Sequence, residues 1–281
     1  MSKHKIVIEP GTENSNYWKD LWNYRGLFYF LAWRDILVRY KQTAIGIVWS
    51  VLRPLVTIVV FTLVFNKLGN FSSDEGVPYA IMVCAGMLPW QFFASAFSES
   101  ANSLISNSNL LSKVYFPRLI VPASTIIVCL IDFFISFAIL IGLFAWYQFI
   151  PGWKILLLPL FLLLSTITAF GTGLYIATLN VKYRDFKYVI PFIVQFGLYI
   201  SPVGFSSSVI YNNDKIPQLV KYLYALNPMV GVIDGFRWCI LGSNTPLHIP
   251  EFIASITISI LFLFVGIRYF RKMEKSFVDI I

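Results

Sequence analysis

Apolar residues in this chain fall into long unbroken blocks, at about 45–65, 77–103, 119–147, 155–180, 188–204 and 252–270. A helix needs about 20 apolar residues to cross the hydrocarbon core of a bilayer. In lipid the backbone must satisfy its own hydrogen bonds, so blocks of this length have to be helical. A membrane β-barrel would show alternating segments of about ten residues, and the sequence has none. The pattern therefore predicts an all-α membrane protein with six transmembrane helices, the first interrupted by Arg53-Pro54. It divides the chain into a cytoplasmic N-terminal segment (1–44), a transmembrane domain (45–270) and a cytoplasmic tail (271–281).

Two stretches depart from the block pattern. Residues 17–40 mix Trp18, Trp22, Tyr24, Leu27, Phe28, Leu31 and Trp33 with Lys19, Asp20, Arg25, Arg34, Asp35 and Arg39. That is the composition of an amphipathic helix lying in the membrane interface; the alternative is a cytoplasmic helix packed on protein. Residues 205–249 hold two partly apolar pieces split by Asn227-Pro228, each too short to cross. They read either as a re-entrant helix pair covered by protein or as a surface helix outside the membrane.

Composition agrees with the pattern. The chain is 57% apolar and 13% charged, where soluble domains carry about 25% charged residues. The net charge of +8 reflects basic residues collected in cytoplasmic loops, not nucleic-acid binding. Sixteen of the 22 Lys and Arg lie in 1–44, 106–118, 180–187 and 268–281. The intervening loops hold five: Lys67, Lys154, Lys215, Lys221 and Arg237. This asymmetry predicts both termini in the cytoplasm. Residues 1–44 lack an early apolar stretch, so no cleavable signal peptide is expected and the first span serves as the insertion signal.

Candidate chemistry is sparse. Cys84 and Cys129 sit in apolar blocks, no CxxC occurs, and His4 and His248 stand far apart, so no metal site is expected. There is no GxxxxGK[ST], GxSxG or HExxH, so the chain binds no ATP through a P-loop and no catalytic residue is assigned. Ser165, Ala169, Gly173 and Ala177 recur every four residues as a small face for close helix packing. Charges inside spans are costly and usually face a partner or water; these are Arg53, Glu99 and Asp132. Arg53 and Glu99 come to similar depth and are expected to pair, or else to face a cytoplasmic vestibule. Asp132 is expected to make a structural hydrogen bond. Aromatic residues form 17% of the chain. Trp49, Phe61, Trp90, Phe92, Phe93, Phe196 and Tyr199 are candidates to line a pore, where ring faces would stack on sugar C–H faces; ordinary packing is the alternative for each.

A family resemblance runs along the chain in six collinear blocks. They are RDILVRYKQTAIGIVWSVLRPLVTIVVFTLVF (34–65), PYAIMVCAGMLPWQFF (78–93), NSNLLSKVYFPRLIVPAS (107–124), NVKYRDFKYVIPFIVQFGLYISPVGFSSSVI (180–210), ALNPMVGVIDGFRWCILG (225–242) and GIRYFRKMEKSFVDII (266–281). Together they resemble the ABC-2 family of exporter membrane subunits, most of all the O-antigen polysaccharide exporters of bacterial inner membranes, with capsule and teichoic-acid exporters next. The resemblance implies a homodimer of six-span subunits joined to two copies of a separate cytoplasmic ATPase. That ATPase would bind ATP and Mg, and this chain would need no cofactor. It also implies polysaccharide carried on undecaprenyl pyrophosphate and a continuous channel at the dimer interface. Residues 22–39 and 106–115 match the ATPase-contacting segments, which singles out Trp22, Arg25, Asn107, Leu110, Lys113 and Tyr115. Arg34, Arg39 and Lys41 lie near the cytoplasmic entry, where cations would attract a pyrophosphate headgroup; positive-inside topology accounts for them equally well. Rival readings are a secondary transporter, a membrane-embedded transferase using Asp185, and a small-drug exporter of the same family.

Overall fold

The computed structural model describes residues 17–41, 46–64, 77–242 and 249–277. All regular structure among them is helical: α1 (Tyr17–Asn23), α2 (Arg25–Lys41), α3 (Gly46–Phe61), α4 (Tyr79–Ser106), α5 (Ser108–Leu111), α6 (Ile120–Tyr147), α7 (Leu158–Lys182), α8 (Phe186–Ile200), α9 (Ser208–Tyr211), α10 (Gln218–Ala225), α11 (Pro228–Leu241) and α12 (Ile249–Met273), with 3₁₀ turns at Trp153–Leu157 and Glu274–Ser276. Four apolar helices are long enough to cross a bilayer: Tyr79–Ser106, Ile120–Tyr147, Trp153–Lys182 and Ile249–Ser276. These coincide with the second, third, fourth and sixth expected spans. The first and fifth correspond to shorter apolar helices, Val48–Val64 and Phe186–Ile200. The Arg53-Pro54 step does not break α3, and Pro54 lies buried within it.

The centre of the bundle is α4, buried along most of its length against α6, α7 and α11. Close approach explains why. Ser165, Ala169, Gly173 and Ala177 are all buried, and a Cβ on Gly173 would stand 2.8 Å from Ser100 on α4. A second face of α7 meets α12, where the Thr168 and Ser259 hydroxyls bond at 2.7 Å. Backbones touch here: a Cβ on Gly171 would lie 2.5 Å from the Leu263 nitrogen, and one on Gly266 would lie 2.2 Å from the Gly171 oxygen. Apolar attraction adds little between helices in lipid, so such contacts carry the packing. A second, smaller core gathers Tyr17, Leu31, Leu104, Leu111, Phe116, Leu174, Val181, Phe270 and Phe277 where the ends of α4, α7 and α12 meet α1 and α2.

The segment after α8 is where regular structure stops inside the bundle. α8 ends at Ile200, and Ser201, Pro202, Val203 and Gly204 are buried without helical structure. Their carbonyls find side-chain donors. Arg237 on α11, only 2% exposed, donates from Nη2 to Val203 at 2.8 Å and from Nη1 to Phe205 at 2.6 Å. Its Nε reaches the Met82 carbonyl at 3.4 Å, and the Tyr79 hydroxyl donates to the Gly204 carbonyl. α11 starts with Asn227 accepting from the Met229 amide at 3.0 Å and with Pro228 in the first turn, both strong helix-start features. Apart from Asp234 and Trp238 it is buried throughout, whereas α10 buries only Tyr224 and Ala225.

Overpacking the α7–α12 crossing should cost at least about 1–3 kcal/mol. Gly266→Val should lower the thermal midpoint of the detergent-purified protein, while Gly142→Ala, whose new methyl meets nothing within 4 Å, should leave it unchanged. Equal midpoints for both variants would contradict the crossing described here.

Candidate functional site

The end of the bundle that carries α2 is held by charge. Asp132 on α6 accepts from Arg39, whose Nη2 lies 3.0 Å away, from the Tyr40 hydroxyl, and from the Ser50 hydroxyl at 3.4 Å. Glu99 on α4 stands 3.8 Å from Arg39 Nη1. Four helices, α2, α3, α4 and α6, therefore converge on one ionic cluster. Burial, then the bond to Asp132, pushes the Tyr40 hydroxyl well above its usual range, so it remains a donor. Arg34, one to two turns earlier, pairs with Asp35 at 2.7 Å and donates to the Asn107 side chain at 2.8 Å.

This arrangement corrects one expectation. Arg53 is exposed and makes no ion pair with Glu99, which turns to Arg39 instead. The cluster also changes how the three entry cations read. Arg34 and Arg39 already face carboxylates, and Lys41 is exposed at the end of α2.

A second polar clasp joins α1, the segment before α6 and the turn after α12. Glu274, just past α12, accepts from the Tyr17 hydroxyl at 3.3 Å and from the Arg118 amide at 2.8 Å, and the Arg118 guanidinium donates to the Glu274 carbonyl. Arg271 sits over the Tyr17 ring at 4.4 Å. Burial, then the Glu274 charge, raises the Tyr17 hydroxyl far out of its titration range. Trp22, Arg25, Lys113 and Tyr115 are exposed, while Asn107 and Leu110 are half-buried. Trp18, Trp22, Tyr29 and Trp33 form an exposed aromatic stripe on α1 and α2, with Tyr29 and Trp33 stacked 7° from parallel.

The seven candidate pore aromatics divide into three buried, one half-buried and three exposed residues. Trp90, Phe92 and Phe93 are core residues of α4, 7% exposed at most, and have no face left for a surface channel. Phe61 is half-buried. Trp49, Phe196 and Tyr199 are exposed by 62%, 51% and 64%. They belong to the two shorter apolar helices. α3 leaves Trp49, Leu52, Val56, Val59 and Val60 exposed. α8 buries Ile190 alone and exposes Tyr188, Phe192, Phe196 and Tyr199 at helical spacing, with Phe192 and Phe196 4.1 Å apart. Gly197 seats α8 on α4, because a Cβ there would come within 2.5 Å of Trp90.

Toward its N-terminus α8 parts from α4 and leaves a groove of about 550 Å³ lined by Ser98, Asn102, Ile105, Ser106, Lys187, Ile190, Pro191, Val194 and Gln195. Sequence reasoning passed over these residues. Lys187 belongs to the KYRDFK run, which reads as a charged turn, and nothing in its spacing places it against α4. Arg237 was likewise counted among the loop cations but lies in the core. Among the described residues no group of three or more His, Cys, Asp or Glu could hold a metal ion.

Comparison with known proteins bears on this arrangement. Residues 26–241 match the family described as ABC-2 type transporter. The chain is 26% identical over 252 residues to an O-antigen export system permease protein RfbA of Klebsiella pneumoniae, covering 88% of this chain and 92% of that protein. It is 24% identical over 262 residues to the protein of the same name from Myxococcus xanthus, covering 93% and 97%. A putative transport permease, ycf38 of Cyanophora paradoxa, is 24% identical over 266 residues, covering 88% and 89%. With the family match spanning most of its length and four apolar helices of membrane-crossing length, this chain belongs to the ABC-2 type transporter family of membrane permeases.

Proposed function

We propose that this chain is the membrane subunit of an ATP-driven exporter that moves O-antigen polysaccharide, carried on undecaprenyl pyrophosphate, across the bacterial inner membrane. The observation that carries this reading is near full-length similarity to proteins named O-antigen export permeases. Two copies face one another, and two copies of a separate cytoplasmic ATPase supply ATP and Mg chemistry. This chain holds no nucleotide-binding motif and requires no cofactor of its own.

The structure supports the reading in three ways. First, α3 and α8 are the least buried apolar helices, and their outward faces carry Trp49, Phe196 and Tyr199. In a dimer these faces line a channel in which sugar rings slide over aromatic faces with few fixed hydrogen bonds. Second, α8 spans only about 22 Å at 1.5 Å per residue, against a hydrocarbon core of about 30 Å. The buried turn at 201–204 extends it, so α3 and α8 complete a six-span count with both termini cytoplasmic. α10 and α11 form the re-entrant pair, since α11 is buried apart from Asp234 and Trp238, as broken backbone in a membrane requires. Third, the exposed aromatic residues of α1 and α2 suit the membrane interface, and Trp22, Arg25, Lys113 and Tyr115 are exposed and so available to an ATPase. Capsule or teichoic-acid export uses the same architecture.

A stroke delivered to α2 reaches the bundle through Arg39, Tyr40 and Asp132. Asp132→Asn keeps the shape but removes the nearer of the two carboxylate charges that Arg39 faces. The reconstituted complex should still hydrolyse ATP while moving about tenfold less polymer per ATP, the loss expected for one charge-assisted bond; unchanged coupling would refute this route. Trp49→Ala, Phe196→Ala and Tyr199→Ala should each reduce surface polysaccharide at normal protein level, whereas Trp146→Ala, also highly exposed, should not. Export that persists after the partner ATPase is inactivated would overturn the function as a whole.

A further inference from the structure

The cations at the α2 end of the bundle are unequally committed. Arg34 and Arg39 face carboxylates. Arg118 is bonded to Glu274, Arg271 lies over Tyr17, and Lys182 lies over the Tyr183 ring at 5.0 Å. Lys187 makes no side-chain hydrogen bond, ion pair or ring contact among the described residues. Exposed lysines such as Lys41 and Lys113 share that freedom, but Lys187 is the one cation lining the groove between α4 and α8.

The rest of the groove fits an amphipathic anion. The Ser98 and Ser106 hydroxyls and the Gln195 amide also line it, and none of these side chains is bonded to another described group. Asn102 stands between the two serines with its amide spent on the Ser98 carbonyl and its oxygen on Asn180. Ile105, Ile190, Pro191 and Val194 supply apolar walls. Position along the bundle follows from two contacts. Gly197 lies on Trp90 while Lys187 shares the groove with Ile105 and Ser106, so α8 runs antiparallel to α4. Asn180, shortly before α8 begins, bonds the Ala101 carbonyl at 3.2 Å. Lys187 therefore lies near the end of α4 marked by Ser106, and Val194 and Gln195 lie deeper, beside Ser98. A volume of about 550 Å³ is within the 300–1,000 Å³ range of small-ligand sites.

We propose that this groove binds the diphosphate head and first isoprene units of a polyisoprenyl diphosphate lipid, with Lys187 and the Ser106 hydroxyl on the phosphates and Ile190, Pro191 and Val194 on the chain. The identity of the lipid rests on the export reading above; the site itself rests on the free cation, the free hydroxyls and the adjoining apolar wall. Arg34 and Arg39 are then structural cations, and headgroup recognition moves from α2 to α8. Tyr188 and Phe192 on the exposed face of the same helix lie next to the groove, so a sugar attached to the diphosphate would emerge onto the aromatic surface.

The test is equilibrium binding of radiolabelled undecaprenyl diphosphate to the full chain in phosphatidylcholine nanodiscs. Lys187→Gln should weaken binding about tenfold, as expected for loss of one charge-assisted contact, while Lys187→Arg and Lys41→Gln remain near wild type. Undecaprenol should bind weakly and equally to all, and phosphatidylglycerol should not compete. The Ser98→Ala/Ser106→Ala pair, which keeps the charge, should weaken binding by a smaller factor and carries the test if Lys187→Gln does not fold. Wild-type affinity in both folded variants would overturn the site. So would equal affinity for undecaprenol, or competition by phosphatidylglycerol, which would make the groove a site for ordinary anionic lipid. Unchanged binding by Lys187→Gln in a complex that exports normally removes the groove alone and leaves the export function standing.

Discussion

A polypeptide in hydrocarbon has no water to satisfy its backbone, and the buried turn after α8 is where this chain meets that constraint most sharply. Helices solve the problem along most of the described residues. Between Ser201 and Phe205 the helical ladder stops, and three successive carbonyls are met by two side chains, Arg237 and Tyr79. Loss of one partner from such an arrangement leaves buried acceptors unmet, at about 1–3 kcal/mol each. The turn in turn fixes where α8 ends, how α11 enters the core and why Gly86 has no side chain: a Cβ there would lie 2.9 Å from the Arg237 guanidinium. A charge deep in the bundle thus acts as backbone cap, not as part of a relay.

From that anchor the molecule separates into a tight part and a loose part. α4, α7, α11 and α12 pack backbone to backbone through small residues and hydroxyls. α3 and α8 lie on the flank, hold few buried residues and keep their aromatic faces outward. The division suits the proposed export function: a tightly packed scaffold beside two helices whose aromatic faces stay open to border a path. The last turn of α2 is tied to α6 and α4 by Arg39, Tyr40, Asp132 and Glu99, the route by which the proposed ATPase stroke would enter. Such a tie is directional and short, unlike the apolar contacts around it.

The long helices were legible in the sequence because uninterrupted apolar length is a one-dimensional signal. α4, α6, α7 and α12 follow the blocks to within a few residues, and the small face at Ser165, Ala169, Gly173 and Ala177 is buried as its spacing predicts. Asp132 was legible as a hydrogen-bonded carboxylate because an unpaired charge at that depth is too costly. Its partners were not, since they come from α2 and α3, and sequence depth alone paired Glu99 with Arg53 when Arg39 was nearer in space. Trp90, Phe92 and Phe93 show the limit for aromatics: ring content does not reveal which side of a helix faces its own bundle. Arg237 and Lys187 were counted as loop charges, since burial and groove position depend on how helices pack and no local pattern encodes that.

The central claim is that the exposed face of α8 meets a second copy of the chain across the transport path. The native cysteines Cys84, Cys129 and Cys239 are all buried, so an introduced thiol can be cross-linked against a quiet background. In membranes that also contain the partner ATPase, Phe196→Cys should give a covalent dimer with a short bifunctional maleimide, whereas Ile260→Cys, on the outer face of α12 and 55% exposed, should remain monomeric. A monomer at position 196, or equal dimer yields at both positions, would contradict the account.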